Sequence, residues 1–202
     1  MEKLHIIPHD HKINRTDRER LNQHPGLVVW FIGLSGSGKS TLASLLEQKL
    51  YEHGMRSYIL DGDNIRSGLN SDLDFSDASR KENIRRIAHV AGLMVDAGLI
   101  TVTAFISPFA AERQMVKELV GEERYVEVYV NCPVEECEKR DVKGLYAKAR
   151  RGEISNFTGI NSPFEEPQHP AVKVPTHQLT PEEGVALVWD EVQRRVAQLQ
   201  NK

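Results

Sequence analysis

Gly33-Leu34-Ser35-Gly36-Ser37-Gly38-Lys39-Ser40 constrains this chain more than any other stretch, because it fits G-x-x-x-x-G-K-[ST] at every fixed position. An apolar run at 27–32 leads into it, and a helix-like segment beginning at Thr41 leads out. Strand, loop and helix in that order are the context the motif requires. Its glycines allow several backbone N–H groups to turn toward one point. Those N–H groups, with the positive end of the helix, make a cradle for phosphate oxygens. Lys39 is expected to reach the β/γ-phosphates of a nucleoside triphosphate, and the Ser40 hydroxyl to ligate Mg²⁺.

At 202 residues the chain suits one domain with a substantial core. Its formal net charge of -3 gives no sign of a nucleic-acid binder. No apolar run approaches the length of a membrane span, and the N-terminus lacks an apolar export core. Cys132 and Cys137 match no common zinc or redox spacing, so reduced thiols in a cytoplasmic protein are expected. Residues 1–25 are polar and carry His5, His9, His11 and His24 without a Cys or carboxylate pattern to complete a metal site. They read as a mobile or docking arm with a short helix capped by Thr16.

Further strands are expected at 56–60, 99–106, 125–130 and 171–174, alternating with helices. That alternation predicts a three-layer α/β/α sandwich around a mainly parallel, five-stranded sheet. The second strand ends at Asp61-Gly62-Asp63-Asn64, and ligands of open α/β sheets gather at the carboxyl ends of strands. Two carboxylates there suit a Mg²⁺ site or a proton acceptor; a plain Asp-Gly turn competes with that reading. A long helix is expected from Ser76 to about Ala97, carrying Arg80 and Asn83 on one face and a solvated basic pair, Arg85 and Arg86, on another. Arg66 and Arg80 are candidates for binding a phosphate or sulfate.

The third strand ends at Ser107-Pro108, with no acid of the kind that binds Mg²⁺ in many ATPases and GTPases. Asp61 and Asp63 supply the carboxylates instead, which favours a small-molecule kinase. Ser107 also reads as a helix N-cap, with Pro108 at the first helical position. A basic stretch containing Arg140 and Lys143 precedes an irregular, proline-rich loop. A lid over transferring phosphate is one reading, and a solvated basic helix is another. Thr180-Pro181-Glu182-Glu183 opens the final helix as a capping box.

Taken together, these blocks resemble the adenylylsulfate kinases, over about 14–176. The resemblance rests on residues 33–41 (ending in Thr41), on Leu60-Asp61-Gly62-Asp63-Asn64-Ile65-Arg66, and on Phe75-Ser76 with Arg80, Asn83 and Arg86. It continues through Phe105-Ile106-Ser107-Pro108-Phe109, Asp141-Val142-Lys143-Gly144-Leu145-Tyr146 and Phe157-Thr158-Gly159-Ile160. It implies a kinase domain at 26–202 after an arm at 1–25, with a lid at about 139–170. The implied activity is transfer of the γ-phosphate of MgATP to the 3′-hydroxyl of adenosine 5′-phosphosulfate. It implies that Gly33, Leu34, Ser35, Gly36, Ser37, Gly38, Lys39, Ser40 and Thr41 hold ATP, with Arg140 beside its adenine, and that Ser40 and Asp61 place Mg²⁺. Phe75 and Phe157 would sandwich the acceptor's adenine, Arg66, Arg80 and Asn83 would meet its phosphosulfate, and Ile106 and Ser107 would touch it through backbone. Asp63 would orient the 3′-hydroxyl, and Lys143 would neutralise charge from the lid.

The family has treated the serine matching Ser107 as a phosphoserine intermediate; direct in-line transfer needs only positioning and charge neutralisation. Asn161 stands where the family usually carries Asp. A free-standing kinase and a homodimer are expected. Another small P-loop kinase, or an idle ATP-binding regulator, remains open on sequence alone.

Overall fold

The computed structural model describes residue 9 and residues 11–201; the readings of residues 1–5, including His5, fall outside them. Eight α-helices and five strands alternate among the described residues. The strands are β1 (Leu27–Ile32), β2 (Ser57–Asp61), β3 (Ile100–Ala104), β4 (Tyr125–Asn131) and β5 (Val172–Pro175). They form one sheet in the order β2-β3-β1-β4-β5, and every pairing is parallel. β1 lies at the centre with all six residues buried. That explains its unbroken apolar run, since a parallel strand is covered on both faces.

Strand periodicity divides β1 between two cores. Leu27, Val29 and Phe31 face α2 (Lys39–Glu52) and α8 (Pro181–Gln200), where they meet Leu42, Leu46, Val188 and Trp189. Val28, Trp30 and Ile32 face α4 (Asp77–Asp96) and α5 (Ala110–Val120), packing with Ile84, Ile87 and Val116. This is the expected three-layer sandwich. A third cluster joins Leu34, Cys132 and Cys137 to Tyr146, Ala149 and Phe157 of the lid. Both cysteines are free and buried, as expected. No described helix is long and apolar enough to cross a membrane.

Several helix ends depart from the sequence reading. The first helix, α1 (Arg15–Asn22), is capped by Asn14 rather than Thr16. Asn14 Oδ1 accepts from the Asp17 N–H at 3.2 Å and the Asp17 carboxylate accepts from the Asn14 N–H at 3.1 Å, a reciprocal box. α1 is tied to the end of α4 by Arg18–Asp96 at 2.6 Å and by Asn22 Nδ2 donating to Gly98 O at 2.9 Å. His24 is a buried structural histidine: its Nε2 accepts from the Arg56 N–H at 2.9 Å. Arg85 and Arg86 are paired rather than merely solvated, with Glu82 at 2.6 and 2.8 Å and Asp72 at 2.7 Å. α8 begins on the Thr180–Glu183 capping box as read.

Candidate active site

Parallel topology brings the carboxyl ends of β1, β2 and β3 to one edge, and the chemistry gathers there. After Ile32 the chain turns at Gly33, whose φ is 145°. A Cβ there would sit 2.5 Å from Val130 O, so no other residue fits. The carbonyls that follow are each engaged by a side chain. Leu34 O accepts from Lys39 Nζ at 2.7 Å, and Ser35 O from the Tyr146 hydroxyl at 2.9 Å. Arg140 Nη1 donates to Gly36 O at 3.4 Å and to Ser37 O at 3.3 Å, and the Thr176 hydroxyl donates to Ser37 O at 2.7 Å. With these acceptors engaged, what the loop has left to offer a phosphate is amide donors. Lys39 is buried, and desolvation lowers its pKa to about 8 against the pull of nearby Asp61 and Asp63.

Asp61 does two jobs. Its Oδ1 accepts from the Asp63 N–H at 3.1 Å and so caps α3 (Gly62–Arg66), while Oδ2 accepts from the Ser40 hydroxyl at 2.7 Å. Where a plain Asp-Gly turn was the competing reading, Asp61 is the N-cap of a short helix. Ser40 and Asp61 thus bring two oxygen donors together, the ligand chemistry a hard cation such as Mg²⁺ takes. One residue into α3's first turn, Asp63 forms an ion pair with Lys143, which lies between α6 (Val134–Arg140) and α7 (Leu145–Arg150).

The opposite wall comes from the chain between α3 and α4, and from the lid. Arg66 lies over the Phe75 ring, 4.4 Å from its centroid, and donates to Asp74 O at 3.0 Å. Burial, and then neighbouring Arg80, lower the Arg66 pKa. Arg80 donates to Phe75 O at 3.1 Å, to Thr158 Oγ1 at 3.2 Å and to Asn156 O. One guanidinium therefore links the loop that carries Phe75 to the lid that carries Phe157. The two rings differ in setting: Phe75 is 64% exposed, whereas Phe157 is 8% exposed and meets Tyr146 edge-on at 4.9 Å. Asn83 is buried and accepts from Asn70 Nδ2 at 2.9 Å.

Ser107 does not cap a helix. α5 starts at Ala110, and Phe109 precedes it without a side-chain cap. The Ser107 backbone sits at φ 44°, which turns its hydroxyl inward to accept from Trp30 Nε1 at 2.9 Å. The first turn of α5 is served instead by Glu165 of the lid loop, whose Oε2 accepts from the Ala110 N–H at 2.7 Å.

A family model described as adenylylsulphate kinase matches residues 25–175. The chain belongs to the adenylylsulphate kinase family. It is 55% identical over 185 residues to a probable adenylyl-sulfate kinase of Halalkalibacterium halodurans, covering 92% of each chain. It is 59% identical over 174 residues to the adenylyl-sulfate kinase of Citrobacter koseri, covering 86% of this chain and 87% of that one. The solved APS kinase CysC of Mycobacterium tuberculosis, in complex with AMPPNP and APS, matches with a TM-score of 0.80 and 46% identity. That match spans 84% of this chain and 98% of that one.

Within this adenylylsulphate kinase fold, the residues expected around the donor, from Gly33 to Thr41 with Asp61, Lys143 and Arg140, form one cluster with Asp63, which was expected at the acceptor's hydroxyl. Arg140 joins it through Gly36 O and Ser37 O. Arg66, Phe75 and Arg80 form the opposite wall with the lid, Asn83 is bonded to Asn70, and the turn at Ile106 is tied to the phosphate loop, where Ile106 O accepts from the Gly33 N–H at 3.4 Å. Sequence reasoning missed Tyr146, Thr176 and Trp30. Tyr146 stood inside a block already singled out, but nothing local marked its hydroxyl as a support for Ser35.

Proposed function

We propose that this adenylylsulphate kinase transfers the γ-phosphoryl group of ATP to the 3′-hydroxyl of adenosine 5′-phosphosulfate, giving the 3′-phosphorylated product used in sulfate activation. The observation that carries the reading is Asp63, an exposed carboxylate just past the end of β2, beside Lys39, Ser40 and Asp61 and ion-paired with Lys143 of the lid. Phosphoryl transfer needs little covalent chemistry from the protein; it needs the two oxygens in line and the charge neutralised. Lys39 and the loop amides hold the donor. Asp63 accepts the hydrogen bond of the acceptor hydroxyl and takes its proton as the new P–O bond forms and the bond to the bridging oxygen of ADP breaks. Lys143 neutralises charge on the moving phosphoryl group, and the lid excludes water that would otherwise hydrolyse ATP.

Ser40 and Asp61 are the residues that would hold Mg²⁺, which supplies charge neutralisation across the donor's phosphates. Arg66 and Arg80 are assigned to the phosphosulfate, with Asn83 beside them. Phe75 and Phe157 are assigned to the two faces of its adenine, and the backbone at Ile106 and Ser107 to the same substrate. A cytoplasmic homodimer completes the reading, on the resemblance and on the two free cysteines.

Purified protein incubated with MgATP and adenosine 5′-phosphosulfate should release ADP and the 3′-phosphorylated sulfonucleotide in equal amounts. Turnover with AMP in place of the sulfonucleotide, or none with either, would overturn the assignment. Sedimentation velocity tests the dimer.

A further inference from the structure

Trp30 lies in the middle of β1, in a run that reads as core and nothing more. Its ring packs on Phe105, with centroids 5.9 Å apart. Its Nε1 nevertheless leaves that core to donate to Ser107 Oγ at 2.9 Å, and both residues are buried. The Ser107 backbone is held in the left-handed region at φ 44°, an uncommon state for a residue with a Cβ. Arg113 Nη1 pins it there by donating to Ser107 O at 3.0 Å. Two backbone bonds run parallel to the indole bond: Phe105 N–H to Phe31 O at 3.2 Å, and Gly33 N–H to Ile106 O at 3.4 Å. The end of β1, with the first residue of the phosphate loop, and the turn at 105–107 are therefore fastened to each other at three points.

An indole N–H can only donate, whereas a serine hydroxyl has two lone pairs and one proton. Trp30 fills one lone pair of Ser107 and fixes the rotor. The hydroxyl proton is left over, and no described residue accepts it. Ser107 lies at the carboxyl end of β3, where the acceptor is placed under the reading above. We propose that Trp30 is a positioning residue: its indole N–H orients the Ser107 hydroxyl so that the hydroxyl donates its proton to an oxygen of the sulfated nucleotide. This rests on the proposed function and adds to it a residue that never touches substrate.

The test is a cycle of four proteins: wild type, Trp30→Phe, Ser107→Ala and the double variant. Phenylalanine keeps a ring against Phe105 and removes only the N–H and one ring's worth of volume. Trp30→Phe should raise KM for adenosine 5′-phosphosulfate about tenfold while the dissociation constant for a non-hydrolysable ATP analogue stays within about twofold. Once Ser107 is alanine, Trp30→Phe should add little, because the two residues act through one bond. Losses that multiply instead would reduce Trp30 to a packing role and overturn the inference, as would an unchanged KM in Trp30→Phe. If the wild type makes no product, the proposed function falls and this inference falls with it. A productive wild type with multiplying losses removes only the inference.

Should Trp30→Phe fail to fold, the wild type labelled with ¹⁵N-tryptophan gives a second readout, since the chain has two tryptophans. The Trp30 indole resonance should shift in Ser107→Ala and again when adenosine 5′-phosphosulfate is added, while the Trp189 resonance stays in place. A Trp30 resonance that moves in neither case overturns the proposal.

Discussion

Lys143 of the lid is ion-paired with Asp63, whose own backbone N–H is held by Asp61. Both side chains are more than half exposed, so the pair contributes little to stability, on the order of 0–1 kcal/mol. Its consequence is chemical. Under the proposed function the cation that neutralises Asp63 is also the one assigned to the donor's phosphates, and a Lys143 drawn to phosphate would free Asp63 for the acceptor hydroxyl. Asp63→Asn should therefore lower kcat about 10²- to 10³-fold, as removal of a general base does, with ATP affinity within about twofold. Steady-state kinetics and calorimetric titration check both halves, and near-normal turnover would take Asp63 out of the chemistry. Thermal melting should move by less than about 2 °C.

Lys39 gives a pH dependence with a definite sign. Burial lowers its pKa to about 8, while in the unfolded chain it stays near about 10.4. Between those values the unfolded chain binds more protons, so stability rises with pH. The cost of the buried ammonium is fully present below pH about 8 and gone above about 10.4. Lys39→Met should be more stable than wild type in urea melts at neutral pH, and that advantage should vanish as pH approaches about 10.4. Phosphates favour the charged lysine, so ATP affinity of the wild type should fall as pH rises past about 8. A flat affinity across that range would remove Lys39 from phosphate binding.

The parts of the site that were legible are local ones. Gly33 to Ser40 is a run of contiguous residues whose glycine spacing states its own backbone geometry, and Thr180 to Glu183 is a cap complete within four positions. What props the phosphate loop was not legible, because Tyr146 and Thr176 reach it from 111 and 139 positions away. The Ser107-Pro108 pair carried a sound local signal for an N-cap, and an indole from 77 positions away overrode it by turning the hydroxyl inward. At α1, both Asn14 and Thr16 could cap. Each has an acid three positions on, but Glu19 is drawn away to the Gly26 N–H at 2.8 Å and to Arg124 at 2.6 Å, which leaves Asn14 and Asp17 to complete the box. Pairing of Arg85 and Arg86 with Glu82 was available at helical spacing, but Asp72 comes from a loop with no regular geometry to predict.

Glu112, in the first turn of α5, is buried with neither carboxylate oxygen hydrogen-bonded among the described residues. Burial raises its pKa, with Lys81, Arg113 and Arg80 opposing. A carboxyl raised in the folded state stabilises fully below its unfolded pKa of about 4.3, and that contribution is lost as pH rises through the folded value. Glu112→Gln keeps the shape and removes the charge. It should stabilise by about 1 kcal/mol at neutral pH, raising Tm by about 2–4 °C, and the gain should shrink toward pH 4.5. Scanning calorimetry of both proteins at neutral and acid pH checks this; a less stable glutamine variant at neutral pH would show that the basic neighbours already outweigh burial.

Asn161 stands where the resemblance implies an aspartate, and the lid shows what the amide does there. The N–H groups of Ile160, Asn161 and Ser162 all donate to Phe157 O, at 3.1, 3.1 and 3.2 Å, and Gly159 N–H donates to Ser162 O at 2.8 Å. Asn161 closes this turn from the side: Oδ1 accepts from the Phe157 N–H, and Nδ2 donates to Ile154 O at 3.3 Å. Aspartate would keep the first bond, strengthened by its charge, and lose the second while setting a carboxylate oxygen near a carbonyl. The two effects oppose each other at about 1 kcal/mol each, so Asn161→Asp should leave kcat/KM for the sulfonucleotide within about threefold. Asn161→Ala loses both bonds and loosens the backbone that aims Phe157. Its KM for the sulfonucleotide should rise about tenfold, with KM for ATP little changed. Kinetics of the two variants side by side decide the matter: if aspartate is the worse of the two, it is the charge and not the shape of residue 161 that governs this turn of the lid.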